Sequence, residues 1–137
     1  MIHKLNESFI LLTYKAKILL MIRNHVFNSG IQKVWHMIGG ENGNNESFET
    51  TITRRVKEEM NIKINDIELL TVESTETKNT YFYHGKLTDN NVNYIERAEG
   101  QELQFFDLKE LNKLQLSAPT NLFFTQKRTV VEELLAN

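Results

Sequence analysis

The sequence predicts an α/β (α+β) domain in which the short strands of a mixed sheet surround one central and one terminal helix. Three observations predict it. Short apolar runs recur between turn signals, the stretch after Ser47 carries an apolar residue at every fourth position, and the only proline, Pro119, precedes a second helical stretch near the C-terminus. No internal repeat, low-complexity segment or linker divides the chain, so residues 1–137 read as a single domain.

The elements follow in order. Phe9–Tyr14 and Lys17–Ile22 are apolar runs joined by a tight connection, which predicts a hairpin of two largely buried strands. Asn24–Lys33 reads as a polar loop around Asn28-Ser29-Gly30, and Val34–Ile38 as a short strand stopped by Gly39-Gly40. Asn42-Gly43-Asn44-Asn45 is a turn signal. A helix is expected from Ser47, as N-cap, to Met60, with Glu49 in its first turn. Its stripe is Phe48, Ile52, Val56 and Met60, and Asn61 suits a left-handed cap. Ile67–Ser74 and Thr80–Leu87 read as strands, Asp89-Asn90-Asn91 as a turn, and Gln104-Phe105-Phe106 as another short strand. Asp107–Leu111 reads as a capped helical turn, and Thr120–Leu135 as one final helix with Leu122, Val130, Leu134 and Leu135 in the core.

Bulk properties remove several functional classes. A formal net charge of −2 and a pI near 6.1 give no basic surface for a nucleic acid polymer. No cysteine is present, so disulfides and thiolate metal sites are excluded, and the composition fits a cytoplasmic protein. The four histidines have no ligand spacing. Lys15 and Lys17 interrupt the apolar run after Phe9, so neither a signal peptide nor a membrane span is expected.

The segment Gly40 to Ile62 carries the chemistry. A Gly-Gly turn leads through a loop into the central helix. Positions 55, 58 and 59 are related by i, i+3 and i+4, so they share one helix face, apart from the apolar stripe. Glu58 and Glu59 then project together beside a glycine loop, where a hard divalent cation would relieve their repulsion. On an isolated helix such a pair is an ordinary solvated face, but the spacing is more specific. Gly40 is followed after five residues by Glu46. Seven residues later comes Arg54-Arg55-Val56-Lys57-Glu58-Glu59-Met60-Asn61-Ile62.

This pattern resembles the Nudix box of the MutT-like hydrolases: glycine, five residues, glutamate, seven residues, Arg-Glu-aliphatic, one residue, Glu-Glu, one residue, glycine, aliphatic. Gly40, Glu46, Arg54, Val56, Glu58, Glu59 and Ile62 match; Arg55 and Asn61 depart. The resemblance implies an α/β/α sandwich with a mixed central sheet. It also implies magnesium, with manganese as a substitute, held by Glu58, Glu59 and the Gly40 carbonyl. Arg54 would fix a box glutamate, with Glu46 as that partner or as an outer metal ligand. Outside the box, the similarity points to Glu99 as a general base or extra ligand, with Glu102 in reserve. It points to Arg23 on phosphate and Asn121 on a base edge. A homodimer is compatible with the family.

Arg55 stands where the family has its first metal-binding glutamate. At about 5 Å and an effective dielectric of ~20, a pair of unit charges is worth roughly 3 kcal/mol, and twice that against a divalent ion. A fixed guanidinium would therefore oppose the metal, unless it turns to grip substrate phosphates. Asparagine at 61 tolerates the backbone conformation of the missing glycine. The function implied is magnesium-dependent hydrolysis of a phosphoanhydride in a nucleoside diphosphate linked to a group X, giving a nucleoside monophosphate. The alternative is a nucleotide-binding regulatory domain with little or no catalysis.

Overall fold

The computed structural model describes residues 4–23, 25–27 and 30–136, with side chains at 23, 25–27 and 30–32 outside the description. Strands β1 (Leu5–Tyr14) and β2 (Lys17–Arg23) form the expected hairpin, with Leu12 opposite Leu19 and Tyr14 opposite Lys17. Lys15 and Ala16 both take positive φ, 47° and 62°. That is the two-residue turn whose twist matches the flanking strands. The region read as a polar loop after Arg23 holds a small hairpin, β3 (His25–Phe27) with β4 (Gly30–Gln32); Asn24, Asn28 and Ser29 lie outside the described residues.

The main sheet adds β5 (Trp35–His36), β6 (Ile38–Glu41), β7 (Glu68–Ser74), β8 (Lys78–Lys86) and β9 (Gln101–Phe106). Its path is β5-β2-β1-β8-β7, with β6 on β1 and β9 on β2. β1 and β8 run parallel from Leu5–Lys78 to Thr13–Lys86, whereas the other pairings are antiparallel, so the sheet is mixed. The single strand expected over Val34–Ile38 is divided. β5 pairs with β2 and β6 with β1, and the chain changes partner at Met37, whose N–H donates to Thr120 Oγ1 at 3.0 Å. Gly39 and Gly40 do not stop the strand: they lie within β6, opposite Phe9 and Ser8.

Helix α1 (Phe48–Met60) covers one face of the sheet. Ser47 Oγ accepts the N–H of Thr50, and Asn61 closes the helix at φ 55° and ψ 34°. Its buried Ile52, Val56 and Met60 pack with Ile10, Leu12, Leu19 and Met21. The opposite face packs Phe9, Leu11, Ile18, Leu20 and Phe82 against α3 (Leu108–Leu111), α4 (Ala118–Gln126) and α5 (Arg128–Ala136). β1 is therefore buried on both faces, which is why Phe9–Leu12 is a continuous apolar run rather than an alternating one. The result is an α/β/α sandwich. Among the described residues no helix is long and apolar enough to cross a membrane.

Other boundaries also differ from the sequence reading. Asp89–Asn93 is a short helix, α2, because Thr88 and Asn91 cap each other reciprocally. β9 extends back to Gln101 because β2 supplies a backbone partner for its polar half. The final helix is two. A straight helix would carry Lys127 on the stripe formed by Phe123, Phe124, Val131, Leu134 and Leu135. The backbone instead leaves helical geometry at Lys127, φ −115° and ψ 30°, and α5 begins at Arg128.

Candidate active site

α1 sets the first layer of the site. Arg54 is fully engaged. Its Nε donates to Glu46 Oε2 at 2.8 Å, its Nη2 to Glu46 Oε1 at 3.0 Å, and its Nη1 to Glu58 Oε1 at 2.7 Å. Glu46 Oε1 also accepts from the Gly43 N–H at 2.7 Å and from Thr51 Oγ1 at 3.0 Å. A β-carbon on Gly43 would sit 2.6 Å from that same oxygen, so only glycine lets the carboxylate fold back onto its own loop. The loop is held to β1 by Asn42 N–H on the Asn6 carbonyl and by Ser8 Oγ on Asn42 Oδ1.

Both Glu46 oxygens accept hydrogen bonds, so Glu46 anchors Arg54. Arg54 and the Gly43 N–H hold the Glu46 carboxyl down at about 2, and the hydrogen bonds to Glu46 and then Glu58 raise Arg54 further above its usual range. The sign of the pH effect follows. A depressed carboxyl stabilises the fold above its unfolded pKa, near 4.5, and this contribution disappears as pH falls through about 2. Glu46→Gln should therefore melt below wild type above pH 4.5, with the gap closing toward pH 2. Thermal melts across pH 2–6 read this directly, and a gap independent of pH would contradict it.

Glu58 and Glu59, expected to project together, have different surroundings. The Glu58 side chain is about half exposed and leans on Arg54, whereas Glu59 is buried. Arg55 lies across the glycine strand. A β-carbon built on Gly40 would be 2.7 Å from Arg55 Nη2 and 3.0 Å from its Cζ.

The loop before β9 is stitched to the end of α1: Glu96 N–H donates to the Met60 carbonyl at 2.9 Å and Ala98 N–H to the Glu59 carbonyl at 3.2 Å. This brings the exposed Glu99 to the C-terminal turn of α1, in a shallow cavity with Arg97, Gln101 and Glu102. Asn121 belongs to the other layer. It is exposed on α4 beside a cavity of about 370 Å³ formed with Leu111, Phe124 and Arg128, which no residue of the box lines. Its neighbour Thr120 touches Met37, just ahead of the glycine strand. The side chain of Arg23 lies outside the described residues. Trp35 and Tyr83 are buried in the core, and Tyr81 stacks on Phe48.

Sequence reasoning missed Gly43 and Thr51. Thr51 has a recognisable signature, a hydroxyl on the buried side of an amphipathic helix; its acceptor is visible only in three dimensions.

Among the described residues no three His, Asp or Glu side chains converge as a metal cluster. The donors that the box pattern implies are Glu58, which also pairs with Arg54, Glu59 and the Gly40 carbonyl. Magnesium is commonly held by one or two carboxylates together with substrate phosphates. The set therefore fits an ion that shares its ligands with the phosphates, rather than one in a dedicated protein cage.

The NUDIX domain family matches residues 4–126. The chain belongs to this family. A Nudix member is a pyrophosphohydrolase of nucleoside diphosphates linked to X, and the family generally uses a divalent metal. Solved Nudix structures have the same fold. A MutT from work on Aliivibrio salmonicida and Vibrio cholerae superposes with a TM-score of 0.72 at 15% identity, covering 98% of each chain. The NUDIX domain of Shewanella oneidensis NrtR, complexed with ADP ribose, gives 0.73 at 18%, covering 96% of this chain and 90% of that one. A MutT NUDIX hydrolase from Burkholderia pseudomallei gives 0.70 at 19%, covering 90% and 98%. Comparison with curated protein sequences yields no match.

Proposed function

We propose that this Nudix chain hydrolyses a phosphoanhydride bond in a nucleoside triphosphate or related nucleotide, releasing a nucleoside monophosphate, in the cytoplasm. The observation that carries the proposal is the placement of Arg55 from α1 against Gly40 of β6, beside the Arg54 fork that braces Glu46 and Glu58. Glu58, Glu59 and Gly40 would hold magnesium, or manganese, in common with the substrate phosphates. When bound, the ion neutralises phosphate charge that builds up as the anhydride breaks.

The remaining roles fall to the chain's own groups. Glu99 takes the proton from the attacking water, its loop kept at the end of α1 by the Ala98–Glu59 backbone bond. Arg23 and Arg55 hold phosphate oxygens, and Asn121 reads the base edge. A nucleotide-type ligand is supported by the ADP ribose bound to the Shewanella NrtR domain.

The expected result is magnesium-dependent release of nucleoside monophosphate from at least one of three classes: nucleoside triphosphates, dinucleotide polyphosphates and nucleotide sugars. Chromatography of the products reads it, and no turnover with either magnesium or manganese would overturn it. Arg55 favours a second reading, a domain that binds nucleotides without cutting them. That reading predicts calorimetric binding across the same panel with no product.

A further inference from the structure

Arg54 and Arg55 are adjacent on α1 but differently placed. Arg54 is held by two carboxylates. Arg55 is half-buried, no ion pair reaches it among the described residues, and its buried Nε has no hydrogen-bond partner among them. Its guanidinium lies along Gly40, where only a glycine leaves room: a β-carbon would meet Nη2 at 2.7 Å, Cζ at 3.0 Å and Nε at 3.5 Å. The glycine is already committed to φ +154° within β6, so this neighbour is fixed by the strand rather than by a mobile loop.

A half-buried guanidinium without a carboxylate partner is a site for an anion, and its planar fork matches phosphate oxygens two at a time. The charge balance gives this a direction. A carboxylate carrying a divalent ion bears one net positive charge, as does a single guanidinium. Arg55 can therefore supply at this position the charge that a carboxylate and its metal would supply together.

We infer that Arg55 and Gly40 form a built-in phosphate site, so that this chain binds the diphosphate of a nucleotide without a divalent ion. Metal is then needed for turnover rather than for binding. The inference rests on the nucleotide reading of the site given above.

Isothermal titration of the full chain with ADP, in EDTA and in magnesium, tests it. Wild type should lose less than threefold in affinity on chelation. Arg55→Ala should lose at least tenfold in EDTA, and Arg55→Lys, which keeps the charge without the fork, should fall between them. Thermal melts of both variants check that they fold. Binding of ADP by wild type only when magnesium is present would overturn the inference and leave the hydrolase reading standing. Equal binding by wild type and Arg55→Ala in EDTA would also overturn it. Binding in neither buffer would overturn the inference, while the hydrolase reading is judged separately by turnover across its nucleotide panel.

Discussion

Glu59→Gln is expected to lower kcat/KM by about 10²- to 10⁴-fold while the protein stays folded. Glu59 is the buried carboxylate of the box, at 4% exposure, on the face of α1 that also carries Arg55 one turn earlier. The amide keeps the shape and removes the charge, so it can neither bind a hard cation strongly nor accept a proton. Glu58→Gln removes the other carboxylate proposed to hold the metal and should lower kcat/KM as well, by less than Glu59→Gln because the half-exposed Glu58 already gives one oxygen to Arg54. Steady-state rates on the best substrate, with melting curves as a folding control, separate the two variants. A Glu59→Gln enzyme keeping half or more of wild-type kcat/KM would remove Glu59 from the machinery.

Gly39→Ala should destabilise the fold by about 3–5 kcal/mol. Gly39 sits at φ +148°, a backbone region open essentially to glycine. A β-carbon there would overlap the Ser8 carbonyl and come within 2.7 Å of Phe9 Cα, both backbone atoms of the central strand. Neither can yield without breaking the β1–β6 pairing. For a domain of this size the loss corresponds to a fall in melting temperature of roughly 10 °C or more. A melt within 2 °C of wild type would contradict the steric account. Gly40→Ala meets a flexible guanidinium instead of backbone, so beyond the strain of its own φ its added cost falls on the placement of Arg55.

What was legible in the sequence was whatever local chemistry dictates. Ser47 and Asn61 bound α1 as their side chains and backbone preferences require, and the Ile52–Val56–Met60 stripe is the face that α1 buries. The Lys17 strand follows its partner through the predicted tight turn. The rest depends on contacts between distant segments. Gly39-Gly40 look like a strand stop, but β1 recruits them into β6. The C-terminal stripe is continuous with one long helix, and nothing local announces the break at Lys127. The site divides the same way. The box spacing raised the Arg54–Glu46 pairing among its options, and the structure contains it. The spacing could not reveal that Gly43 and Thr51 complete the shell around Glu46, or that Arg55 lies on Gly40 rather than reaching into solvent.

The central claim is that one wall, made by α1 and β6, serves the metal and the phosphates together. A crystal structure with magnesium and a methylene-bridged, non-hydrolysable nucleotide tests it most directly. The account predicts metal density between Glu58, Glu59 and the Gly40 carbonyl, with the Arg55 guanidinium on a phosphate oxygen. A nucleotide bound elsewhere, or metal absent from these residues with Arg55 turned away from the phosphates, would contradict it.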